Sequence, residues 1–143
     1  MSDDKTTELT KRHFEAVDKY VYFLLAAAGA AIGFSIQKVD NRPLSYSLIP
    51  LGLSVLCWGI SFYSGCNCIK NKNNATETNL STMTQYNLTT KISKEDYYKS
   101  IDSYAAFMKK SKDFSRWQFN FLIIGVILFI CWTILEMYIK TVN

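Results

Sequence analysis

The sequence predicts an all-α integral membrane protein: three transmembrane helices, with the first and third extended into the cytoplasm. Three observations carry that expectation. Residues 20–36, 46–69 and 117–138 are apolar blocks, and a helix rising about 1.5 Å per residue needs about 20 residues to cross a hydrocarbon layer about 30 Å thick. The charges fall almost entirely between the blocks, so a mean hydropathy close to zero conceals two populations. The polar stretches before the first and third blocks also keep a helical apolar periodicity. One membrane domain of 143 residues follows, divided as 1–19 (cytoplasmic part of helix one), 20–36, 46–69, 70–92 (cytoplasmic loop), 93–116 (cytoplasmic part of helix three) and 117–138.

Helix one is expected to start at Asp3, Thr6 or Thr7 and to run for about thirty residues. Leu9, His13, Val17, Val21 and Leu24 share one face, while Lys11, Glu15 and Lys19 lie elsewhere. The block is not expected to be a cleavable signal, because it lies behind acidic residues rather than a short basic lead. Asn41, Arg42 and Pro43 form a turn, which makes the first two spans an antiparallel hairpin. Pro50 stands where a helix start tolerates its missing N–H.

Residues 71–91 are rich in Asn and Thr and poor in large apolar side chains, so they read as a mobile loop; a short β-hairpin over 80–88 has only weak alternation in its favour. Sequons at Asn74, Asn79 and Asn87 are read as a product of that composition. Helix three then has a sharp start. Ser93 is the expected N-cap with Asp96 three residues on, and Ile92 and Tyr97 form a hydrophobic staple. Tyr97, Ile101, Tyr104, Met108, Ser111, Phe114, Trp117 and Phe121 follow at helical spacing, broken only by Ser111 and widened by Phe107, in a helix of about forty-five residues.

Charge sets the expected orientation. Thirteen of the sixteen Lys and Arg lie in the N-terminal segment and the second loop, against Lys38, Arg42 and Lys140 on the other side. The positive-inside rule puts the N-terminus in the cytoplasm and the C-terminus outside, in a multi-pass inner (plasma) membrane protein. Tyr20, Tyr22, Phe62, Tyr63, Trp117 and Phe119 then lie towards the inner interface, and Tyr46, Trp132 and Tyr138 towards the outer one. Trp58 falls mid-span and is read as a packing residue.

No catalytic, cofactor-binding or metal-binding pattern is legible, so no enzyme, cofactor, metal or nucleic-acid partner is expected. His13 is the sole histidine and is read as a packed residue. Cys57 and Cys131 sit inside spans as small apolar fillers; Cys66 and Cys68 supply too few ligands for a metal and read as interfacial. Glu136 is the only ionisable group within the apolar runs and is expected near the outer surface, which speaks against a transporter with a charged midplane site.

Two features point to association instead. Ala26, Gly29, Ala30 and Gly33 form a small-residue face of the kind that lets helices approach closely in lipid. It serves either self-association or packing on span two, which has Gly52 and Gly59. The stripe of Tyr97, Ile101, Tyr104 and Met108 needs a cover: the cytoplasmic part of helix one, another protein, or the membrane surface beside Lys109, Lys110 and Lys112. Helix one is the nearest of these, and the two would form a stalk.

The small-residue run of Ala26 to Gly33 and the amphipathic segment from Tyr97 to Met108 resemble the SLATT-type membrane effectors of bacterial antiviral defence, whose usual pattern has two spans rather than three. The resemblance implies a homo-oligomer that perturbs the bilayer. The expected function is therefore that of a non-enzymatic, oligomeric inner-membrane effector that permeabilises the membrane, with a cytoplasmic protein as its partner or trigger. The alternative is an accessory subunit that anchors a cytoplasmic complex.

Overall fold

Three long helices make up the chain, and the computed structural model describes residues 2–39, 46–88 and 94–142. Helix α1 spans Ser2–Val39; a 3-10 turn at Tyr46–Leu48 leads into α2, Ile49–Leu88; α3 spans Lys94–Val142. All three are long and apolar enough to cross a membrane. With 40 and 49 residues, α2 and α3 reach about 60 and 74 Å, twice what a hydrocarbon layer needs.

The expected continuity of helices one and three is observed, and Pro50 sits in the first turn of α2. The residues expected to form the turn at Asn41–Pro43 and the cap at Ile92 and Ser93 lie outside the described residues.

The loop expected over 71–91 is corrected. Helix α2 runs on without a break to Leu88, so 80–88 is neither loop nor β-hairpin. The reason is a seam rather than an apolar stripe. Ser54, Ser61, Cys68, Ala75 and Thr82 recur every seven residues on one face of α2; the first four are buried and Thr82 is half-buried. On α3 the matching series is Ser111, Gln118, Gly125 and Trp132, all buried. A seven-residue repeat keeps one face of a helix on its neighbour, and small side chains let the backbones close up. In the polar half the side chains of Asn71, Thr76, Thr78, Thr82 and Thr84 also bond carbonyls four residues back, which satisfies them within the helix.

A second correction concerns the stalk. The polar half of α3 packs on the extension of α2, not on α1, which lies mainly against α2 and touches α3 little. The Thr82 and Ser100 hydroxyls meet across this pair, and Ser111 Oγ donates to the carbonyl of Cys68 at 3.1 Å. The packed face thus coincides with the apolar stripe only in part. Ser111, which interrupts that stripe, is buried, while Tyr97 and Ile101 stand half-exposed.

In the apolar half the distribution is inverted relative to a water-soluble fold. Phe23, Ile36, Leu56, Phe62, Ile127 and Ile134 face outward, while Ser35, Ser54, Ser61, Ser64 and Gln118 are buried. An apolar belt of that extent suits lipid, and polar groups in lipid turn towards other helices. The chain therefore has the make-up of a multi-pass membrane protein.

Candidate functional site: a polar three-helix junction and two open faces

Gln118 is the centre of the junction. Its side chain is 0% exposed. Its Nε2 donates to the carbonyl of Val21 on α1 at 3.3 Å, and its own carbonyl accepts from Ser61 Oγ on α2 at 2.7 Å. The amide fits only because α2 carries glycine beside it. A Cβ on Gly65 would fall 2.5 Å from Gln118 Nε2 and 2.8 Å from Leu25 Cδ2. One acceptor is left over: Gln118 Oε1 is buried without a partner. Such a group costs about 1–3 kcal/mol, so the closed junction holds a polar atom that water would satisfy.

Above Gln118 along α2, Ser54 Oγ turns back to the carbonyl of Leu51 at 2.7 Å. Below it, Cys68 and Ser111 approach to 3.3 Å. Ser54, Ser61, Ser64, Gln118, Cys68 and Ser111 thus form a file of polar groups inside the bundle, closed by packing. Trp58 closes its upper part: the indole lies where a Cβ on Gly125 would otherwise be and donates to the carbonyl of Leu122 at 3.3 Å. The expectation that Trp58 is a packing residue holds. Phe129 gathers the rings there, with Phe34 at 6.0 Å, Trp58 at 5.7 Å and Trp132 at 5.6 Å between centroids.

Where the apolar half gives way to the polar half, Lys72 clamps α1 to α2. Its Nζ pairs with Asp18 Oδ1 at 2.5 Å, donates to the carbonyl of Phe14 at 3.3 Å, and stands 5.2 Å from the centre of the Phe14 ring. Local spacing carries no sign of this pair, because its members lie fifty-four positions apart.

The small-residue face of α1 is open. Ala26, Gly29, Ala30 and Gly33 are exposed, and a Cβ on either glycine would meet nothing within 4 Å. Gly52 and Gly59 are equally open, so the alternative that these glycines pack α1 on α2 does not hold. The contact is made instead by Val21, Leu24, Ala28 and Ser35, on another side of α1.

The second candidate interface divides. Tyr104 and Met108 are half-buried in the α2–α3 pair, whereas Tyr97 and Ile101 face outward. Tyr98 at 65% exposure joins them from α3, and Leu80 at 64% and Met83 at 61% stand exposed at the same end on α2. The far end of the pair therefore carries large apolar side chains outside the long apolar runs. Sequence reasoning missed Leu80, Met83 and Tyr98 because it placed the first two in a loop and took the third off the stripe.

The other sequence candidates are less central. Cys68 is buried in the seam, Cys57 is half-buried, and Cys66 and Cys131 are exposed, so Cys131 is not an internal filler. Glu136 is half-buried and accepts from Ser47 Oγ at 3.4 Å. The His13 side chain lies outside the described residues. Among the described residues no group of three His, Cys, Asp or Glu is placed to hold a metal. No family model matches the chain, and neither a curated protein nor a solved structure matches it.

Proposed function

We propose that this chain is a non-enzymatic, homo-oligomeric inner-membrane protein that permeabilises the membrane when its helices rearrange. The observation that carries the reading is the closed polar file through the apolar half, centred on Gln118 with its unpartnered Oε1. Buried polar groups in a spanning bundle are costly and turn inward; parting α2 from α3 exposes the hydroxyls and the amide to water and hydrates the path. The open Ala26–Gly33 face supplies a surface on which copies can pack closely. The charge asymmetry puts the α2–α3 extension in the cytoplasm as a stalk, with the C-terminus outside. A place in antiviral defence rests on the resemblance to SLATT-type effectors.

Induced expression with a membrane-potential dye tests this. Wild type depolarises the cell. Gln118→Leu, which removes the amide from the file, inserts and accumulates equally but depolarises far less. Silence from wild type overturns the reading.

A second reading has its own support. The exposed Leu80, Met83, Tyr97, Tyr98 and Ile101 at the end of the stalk suit an accessory subunit that anchors a cytoplasmic partner. A specific co-purifying protein together with an unchanged membrane potential would favour it.

A further inference from the structure

Near the C-terminal ends of α1 and α3, at the side of the bundle away from the stalk, a groove of about 290 Å³ opens between the two helices. Its floor is aromatic, formed by Phe34, Phe129 and Trp132, and its rim carries Lys38, Glu136 and Lys140. The order along the helices is consistent. Phe34 lies one turn before Lys38, and Trp132 two turns before Lys140, so the groove passes from apolar to cationic towards the membrane boundary. Trp132 is 4% exposed and backs the groove from inside the bundle.

We propose that this groove binds one anionic phospholipid of the surrounding leaflet. Lys38 and Lys140 take the phosphate, and the first part of an acyl chain lies on Phe129 and Met137. The ammonium of Lys38 stands 5.3 Å from the centre of the Phe34 ring, so this cation is already held beside the apolar wall. Lys38 and Lys140 bring two positive charges to the groove, and Glu136, which accepts from Ser47 Oγ, brings one negative charge. A basic residue at a membrane surface contributes about 1 kcal/mol towards anionic lipid, which is a preference of about fivefold over a zwitterionic lipid of equal chains. The occupant is a lipid rather than free phosphate because the floor is apolar and only the rim is charged. The inference rests on the chain crossing a membrane, but not on assembly or permeabilisation.

The test uses the full chain in vesicles containing a diazirine-labelled lipid, either phosphatidylglycerol or phosphatidylcholine with the same chains, with labelled residues mapped by mass spectrometry. Labelling at outward-facing Ile127 and Ile134 reports insertion and serves as the reference, so a failure to insert is distinguished from a failure of this site. Groove residues should label about fivefold more with phosphatidylglycerol than with phosphatidylcholine. Lys38→Gln with Lys140→Gln should bring that ratio down to the reference value, and Glu136→Gln should raise it. Excess glycerol phosphate should leave it unchanged. Equal labelling by the two lipids, an unchanged ratio in the lysine variant, or displacement by glycerol phosphate would overturn the proposal.

Discussion

Ser61 and Gln118 hold α2 to α3 through one bond, from the Ser61 hydroxyl to the Gln118 main-chain carbonyl, at 2.7 Å and with both residues fully buried. The carbonyl leaves the Gln118 side chain free to reach α1, so one residue joins three helices. The arrangement needs a neighbour without a side chain, which leads to the first prediction.

Gly65→Val should destabilise the bundle by about 1–3 kcal/mol, the usual cost of overpacking a close contact. The added Cβ meets both Gln118 and Leu25. Gly52→Val is the control, since a Cβ there meets nothing within 4 Å. Thermal unfolding in mild detergent should show a lower midpoint for the first and little change for the second. Equal midpoints would mean that α2 and α3 do not approach at Gly65.

Gly29→Leu with Gly33→Leu should leave the fold of one chain intact and weaken assembly. The space around both glycines is empty within the chain, so the leucines have nothing to displace there. A second copy packed on that face would be pushed away. Crosslinking in detergent measures assembly, and the unfolding midpoint measures the fold. If oligomers persist unchanged, the face meets lipid only.

Breaking the Lys72 clamp should loosen α1 from α2. Asp18 is 42% exposed on its side chain, so solvent screening limits the ion pair to about 0.5–1 kcal/mol. Asp18→Asn and Lys72→Met should each destabilise, and the double variant should cost less than the two changes added together. Additive effects in that double-mutant cycle would remove the coupling.

Leu80→Asp with Tyr98→Asp should insert and fold as wild type does, because both side chains are exposed. The cellular effect should disappear, whether that effect is depolarisation or recruitment of a partner. A fully active double variant would place the function away from the end of the stalk.

The three spans were legible because hydropathy averaged over about twenty residues registers a bilayer crossing whatever the neighbours are. The extension of α2 was not. Ala75 and Thr82 are too small or too polar to register as an apolar stripe, yet with Ser54, Ser61 and Cys68 they form a seven-residue series that was open to counting. An apolar stripe is recognised by bulk, whereas this seam requires smallness. The same bias made Ser111 look like an interruption when it is a buried contact, and made Ile101 look like core when it is half-exposed. Gln118 could be noted as a polar residue in a span, but its reach to Val21 depends on how α1 sits, which local spacing does not encode.

Neither helix of the stalk has a joint. Between Gly65 and the end of α2 at Leu88 there is no glycine or proline, and on α3 none lies between Lys94 and Gly125. An unbroken hydrogen-bond ladder resists sharp bending unless a specific residue interrupts it. Each helix therefore behaves as a single shaft from its far end to the level of Gln118. Leu80 is thus joined by unbroken helix to Ser61 and Gly65, and Tyr98 to Gln118, the residues that meet at the junction.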